Sequence, residues 1–261
     1  MHGFLARLGT LTVRMAITRC ETGITELDQI LRGGIPEGNV VLLSGGSGMG
    51  KTTLTLEFLA HGAEKGERGL FLSVTEPVKV LERNALEYQF MRPEMLKDGV
   101  IRLVDLRAVL QRMGLAGPNQ NTLENGAALV DAIESIVKEY KIRRLVIDSL
   151  TAICQRLDEP SKIRDFAFRL GLALGNAGCT SILTSETPPR ELKYSIYGVE
   201  EFIADGIVFL SEMERNNDLV RTLQVIKMRG TDHSRARFMM DLSEFGISLA
   251  PLLKKFGEGA R

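Results

Sequence analysis

Apolar residues recur along the chain in two alternating registers. Short apolar runs at Val40–Leu43, Leu70–Val74, Arg102–Val104, Leu145–Ile147, Ser181–Leu183 and Ile207–Leu210 have the length and composition of buried parallel strands. Between them lie three helical stripes, in which apolar residues at three-and-four spacing give a helix one face for a core. The first is Val78, Leu81, Ala85 and Tyr88; the second is Leu123, Ala127, Val130, Ile133, Val137 and Tyr140; the third is Ile163, Phe166, Ala167, Leu170 and Leu174. Strand and helix in turn predict an α/β fold, a mostly parallel sheet with helices on both faces. After Ile207 the helical spacing stops. Leu223–Met228, Arg237–Leu242 and Gly246–Leu249, separated by polar turns, predict a small antiparallel extension at one edge of that sheet. No segment repeats, so residues 22–252 read as a single domain, with 1–21 as an N-terminal extension and 253–261 as a C-terminal tail. Gly114–Asn125 reads as a long surface loop.

Charge narrows the choice of partners. Lys and Arg total 33 and Asp and Glu total 33, a balance that argues against a partner held by bulk charge, nucleic acid above all. The chain has no Trp and only four Tyr, too few for a base-stacking platform, and Lys141–Arg144 and Lys254–Lys255 read as solvated faces. DNA binding by a recombinase-related accessory ATPase is the alternative, and these counts disfavour it. No stretch has the roughly eighteen apolar residues of a bilayer span, and no signal peptide is evident, so a cytoplasmic, membrane-free protein is expected. Cys20, Cys154 and Cys179 have no metal spacing and read as buried thiols, and His2, His61 and His233 are scattered.

Glycine is the compositional exception. Gly33, Gly34, Gly38, Gly45, Gly46, Gly48 and Gly50 crowd into one short stretch. The last four belong to Gly45-Gly46-Ser47-Gly48-Met49-Gly50-Lys51-Thr52, which satisfies the phosphate-loop pattern between a strand and a helix. Such glycines let successive N–H groups turn around an anion while the helix aims the positive end of its dipole at the same point. Gly46, Ser47, Gly48, Met49, Gly50, Lys51, Thr52 and Thr53 are therefore the expected cradle of ATP. Lys51 would charge-pair with the β- and γ-phosphates, and Thr52 would complete a Mg2+ shell. The second magnesium residue is expected at the end of another buried strand, where Asp148 follows Arg144–Ile147. An acid that orients water is also needed. Glu76, after Leu70–Val74 and before Pro77, is the choice, although acids are also favoured at helix starts. Thr184, Ser185 and Glu186 end another strand and suit a γ-phosphate sensor, a weaker signal because polar strand ends are common.

These elements resemble the RecA-like P-loop ATPases, and the later residues resemble the KaiC-like family within them. The likeness is carried by Thr22-Gly23-Ile24-Thr25-Glu26-Leu27-Asp28 with Gly33–Gly38, by Ile147–Thr151, by Tyr197–Asp205 and by Ile226–His233, in that order. It implies a homo-oligomeric ring, usually a hexamer, with ATP between subunits and with Lys227 and Arg229 reaching the neighbour's γ-phosphate, Thr231 and His233 nearby. It further implies an ATPase cycle that changes affinity for an unidentified protein partner. Two departures temper it. Family members commonly carry two adjacent glutamates where this chain has Thr75-Glu76, which implies slow hydrolysis. Glu201 and Phe202 stand where a phosphorylatable Ser-Thr pair is found in the second copy of tandem members, so autokinase activity is not expected.

Overall fold

The structure, a computed structural model, describes residues 17–114, 123, 125–157, 159–188 and 193–252. Its first elements are β1 (Arg19–Cys20), α1 (Thr25–Ile30), β2 (Ile35–Pro36), β3 (Val40–Gly45), α2 (Lys51–Glu64), β4 (Gly69–Ser73), α3 (Val78–Ala85), α4 (Pro93–Lys97), β5 (Ile101–Asp105) and α5 (Leu106–Arg112). There follow α6 (Gly126–Glu139), β6 (Arg144–Asp148), α7 (Leu150–Leu157), α8 (Pro160–Ala177), β7 (Thr180–Glu186) and α9 (Glu200–Ile203). The chain then runs through β8 (Gly206–Arg215), β9 (Asp218–Met228), β10 (Arg237–Ser243) and β11 (Gly246–Pro251).

Among the described residues nine strands form one sheet in the order β11-β10-β9-β8-β3-β7-β6-β4-β5. The six from β8 to β5 run parallel, and β9, β10 and β11 add antiparallel at the β8 edge. This is the expected α/β architecture with its antiparallel extension. Strand β3 is buried throughout and alternates its side chains between two cores. Val41 and Leu43 join the core beneath α1, α2 and α3, with Leu54, Phe58, Phe71 and Val146. Val40 and Leu42 join the other, beneath α5 to α8, with Leu72, Leu145, Ile147 and Leu170. A fully covered Leu or Phe contributes roughly 1.5 to 3 kcal/mol, so both helical layers are held mainly by this burial.

The boundaries show where local pattern yields to context. Tyr88 falls beyond the end of α3, and Leu123 is buried ahead of α6, whose first turn is capped by the Asn125 side chain accepting from the Ala128 amide at 3.0 Å. Arg19–Cys20 pairs antiparallel with Ile35–Pro36, so residues ahead of Thr22 already belong to the folded chain. Most of the loop expected at Gly114–Asn125, the first sixteen residues and the tail from 253 lie outside the described residues. Among the described residues no helix is long and apolar enough to cross a membrane.

Candidate functional site

The carboxyl ends of β3, β4, β6 and β7 converge on one pocket of about 340 Å³. Ser47, Gly48, Met49, Gly50, Lys51, Thr52 and Thr53 form one wall, and Ser73, Thr75, Glu76, Asp148 and Glu186 line the rest with Phe71 and Leu242. Gly50 caps α2 in the left-handed region at φ +94°, and a Cβ on it would stand 3.0 Å from Leu242 Cδ1. Both the turn and the approach of β10 require glycine there.

The cradle holds its own charge. Lys51 Nζ donates to the Gly45 and Gly46 carbonyls at 2.8 Å each. Burial lowers its pKa, and the carboxylates of Glu186 and Asp148 oppose that shift. Thr52 Oγ1 donates to Asp148 Oδ2 at 2.9 Å, and Thr184 Oγ1 donates to Asp148 Oδ1 at 2.6 Å. The first turn of α2 and the end of β6 thereby present adjacent hard oxygens, a donor set suited to magnesium. Glu76 lines the same pocket, its Oε1 accepting from Asn84 Nδ2 at 3.1 Å and its carbonyl from Ser73 Oγ at 2.6 Å. Of the residues that the sequence assigned to the phosphate loop, Ser47 to Thr52 line one cavity together with Thr53 and both carboxylates, and Gly45 and Gly46 do not. Gly45 and Gly46 reach it through their carbonyl bonds to Lys51.

The tail residues lie elsewhere. Along the sheet, Gly45 is level with Leu210, and Leu210 with Leu223 of β9, whereas Met228 is level with Gly206 and Val41. Lys227 and Arg229 therefore sit toward the opposite end of the strands, roughly 10 to 17 Å along them from the phosphate loop at about 3.3 Å per residue. There Lys227 Nζ donates to the Ala204 carbonyl at 2.7 Å, and Arg229 Nη1 meets Asp205 Oδ1 at 3.1 Å. Thr231 accepts from Arg19, and His233 lines a separate surface cavity with Glu26, Arg32 and Phe238. Within one chain none of the four reaches the pocket.

The structure also adds residues the sequence did not single out. Arg221 Nε donates to the Gly48 carbonyl at 3.3 Å, Leu242 closes the pocket from β10, and Ser73 ends β4 beside Asp148. The strand-end logic that found Asp148 would have found Ser73. Nothing local marks Arg221 or Leu242, because each arrives from a strand far along the chain.

A strand–glycine loop–helix at the carboxyl end of a parallel sheet, facing an aspartate on a second strand, defines a P-loop nucleotide-binding protein of RecA-like fold. The family model described as "ATPase: KaiC" matches residues 20–254, and the chain belongs to that family. A UPF0273 protein of Methanopyrus kandleri is 35% identical over 251 residues, covering 94% of this chain and 98% of that one. The circadian clock protein KaiC3 of Synechocystis is 33% identical over 241 residues, covering 90% of this chain, which spans 46% of that relative's length. The crystal structure of a KaiC-like protein from Pyrococcus horikoshii superposes with a TM-score of 0.78 at 36% identity, covering 90% of this chain and all of that one.

Proposed function

We propose that the protein binds ATP with magnesium and hydrolyses it slowly within a homo-oligomeric ring, a hexamer, acting in the cytoplasm as an ATP-gated switch for a protein partner. The observation that carries the nucleotide reading is the Thr52–Asp148 contact at 2.9 Å beside the Lys51 ammonium. The backbone N–H groups from Gly46 to Thr53 and the start of α2 bind the phosphates, and Lys51 exchanges its carbonyl partners for phosphate oxygens. Thr52 and Asp148 fit magnesium, which when bound neutralises charge on the β- and γ-phosphates. Glu76 orients the attacking water. Its neighbour is Thr75 rather than a second acid, and its carboxylate is shared with Asn84, so the rate is low.

Lys227 and Arg229 act on the nucleotide of the next subunit, with Thr231 and His233 beside them. Their position at the far end of the sheet supports this, as does the exposure of Arg229, whose side chain is 63% accessible. A cation supplied in trans is worth about 10³ to 10⁵ in rate. The switch reading rests on the likeness to relatives named as circadian clock proteins. Exposed Phe202 and the carboxylate Glu201, which accepts from Ser195, offer no hydroxyl for autophosphorylation.

Phosphate release by purified protein, with Lys51→Ala and Asp148→Ala as controls, tests the enzyme. Turnover that persists in both variants would refute it. Mass measurement with and without Mg-ATP tests the ring, and a monomer under both conditions would remove the shared site.

A further inference from the structure

Helix α2 carries, beyond its phosphate-facing first turn, a carboxylate that nucleotide binding leaves unused. Glu57 is only 8% exposed, and its Oε2 accepts from the Ile247 amide at 2.9 Å. Gly246, at φ +118°, lies against the same carboxylate: a Cβ there would stand 2.7 Å from both carboxyl oxygens. Glu57 therefore grips the β10–β11 hairpin at its turn, through main chain alone. The same hairpin reaches the pocket, since Leu242 near the end of β10 lines it and crowds Gly50. One hairpin thus touches α2 at its cap through Leu242 and further along through Glu57. A side contact steadies the turn, where Gln89 donates to Glu244 through its amide at 2.8 Å and through Nε2 at 3.2 Å.

The geometry points to Glu57 as a positioning residue, a proton-sensitive pin that seats the β10–β11 hairpin on the phosphate-loop helix and so sets how Leu242 closes the nucleotide pocket. The link to nucleotide rests on the ATP reading above; the pin itself does not. Burial pushes the Glu57 carboxyl up to about 7. The Ile247 bond pulls the other way, and the like charges of Glu26 and Asp28 on α1 add to the rise. Glu244, the acid of the turn, is engaged by Gln89. Because the covered carboxyl titrates above its ordinary value of 4.5, the seated hairpin favours the protonated form. That advantage is full below the ordinary value and is lost as the pH rises through about 7. Lifting the hairpin returns the carboxylate to water, so the lifted population relative to the seated one rises about tenfold between pH 6 and pH 8.

Hydrogen exchange at the Ile247 amide of the full chain, expressed as a protection factor corrected for base catalysis, reads this directly. Wild-type protection falls about tenfold from pH 6 to pH 8. In Glu57→Gln a carbonyl acceptor remains but nothing ionises, and protection is the same at both pH values. Wild-type protection that does not fall, a comparison that needs no variant, overturns the pin, as does a fall in Glu57→Gln equal to that in wild type. Mg-ADP added at pH 8 raises Ile247 protection. Unchanged protection while a fluorescent ADP analogue shows binding overturns the hairpin's role at the site. Absence of any binding by that analogue refutes the ATP reading instead, and the nucleotide-free exchange still decides the pin.

Discussion

Replacing Thr184 by Val removes one hydroxyl from the environment of Asp148 and changes little else. Thr184 is fully buried, so the substituted methyl fills the same space and the loss is chemical. Asp148 takes two hydroxyl donors, Thr184 on Oδ1 at 2.6 Å and Thr52 on Oδ2 at 2.9 Å. A hydrogen bond to a charged group is worth about 1.5 to 3 kcal/mol, and here its loss leaves a carboxylate oxygen facing a methyl. Thr184→Val is therefore expected to cost about 2 to 3 kcal/mol, which for a chain of this size lowers the melting temperature by roughly 4 to 12 °C. Urea denaturation of Thr184→Val, Asp148→Asn and the double variant closes a cycle. In the Asp148→Asn background the hydroxyl serves a neutral partner worth about 1 kcal/mol, so a coupling of about 1 to 2 kcal/mol is expected. The functional counterpart is a loss of about tenfold or more in the part of ATP affinity that depends on magnesium, with metal-free affinity retained. A single variant within about 0.5 kcal/mol of wild type, or strict additivity in the cycle, would refute the reasoning.

Two further outcomes are expected. Arg229→Ala lowers turnover by roughly a thousandfold or more while leaving nucleotide binding by fluorescence titration nearly intact; equal loss of both would place Arg229 in the structure rather than in catalysis. Burial pushes the thiols of Cys20 up to about 11 and of Cys154 and Cys179 up to about 12. Since the thiolate is the reactive form, native protein at pH 8 should leave a disulfide reagent unreacted, and all three should react once it is unfolded. Rapid native labelling would contradict their burial.

The phosphate loop was legible because its chemistry is local. Eight consecutive residues supply the turn, the N–H groups, the cation and the hydroxyl, and the flanking strand and helix are written in the periodicity on either side. Asp148 was legible by the same strand-end logic, and so were the parallel strands and the antiparallel tail, since burial on two faces and burial on one leave different patterns. Thr184 carried a weaker trace, because a polar residue ending a strand has many uses, and only its bond to Asp148 selects one of them.

By itself, then, the sequence determined the class of fold, the glycine loop between strand and helix and the order of elements around it, all of which depend on residues near one another in the chain. The tertiary structure alone decided which distant residues complete the pocket. Leu242 and Arg221 come to the phosphate loop because β9 folds back beside β8 and β10 beside β9, and Glu57 meets Gly246 because the β10–β11 turn returns over α2. It also decided that Lys227 and Arg229 stand at the other end of the sheet from Lys51, since an antiparallel turn after β8 carries β9 away from the phosphate end. Strand pairing across long separations sets these distances, and no local spacing encodes it.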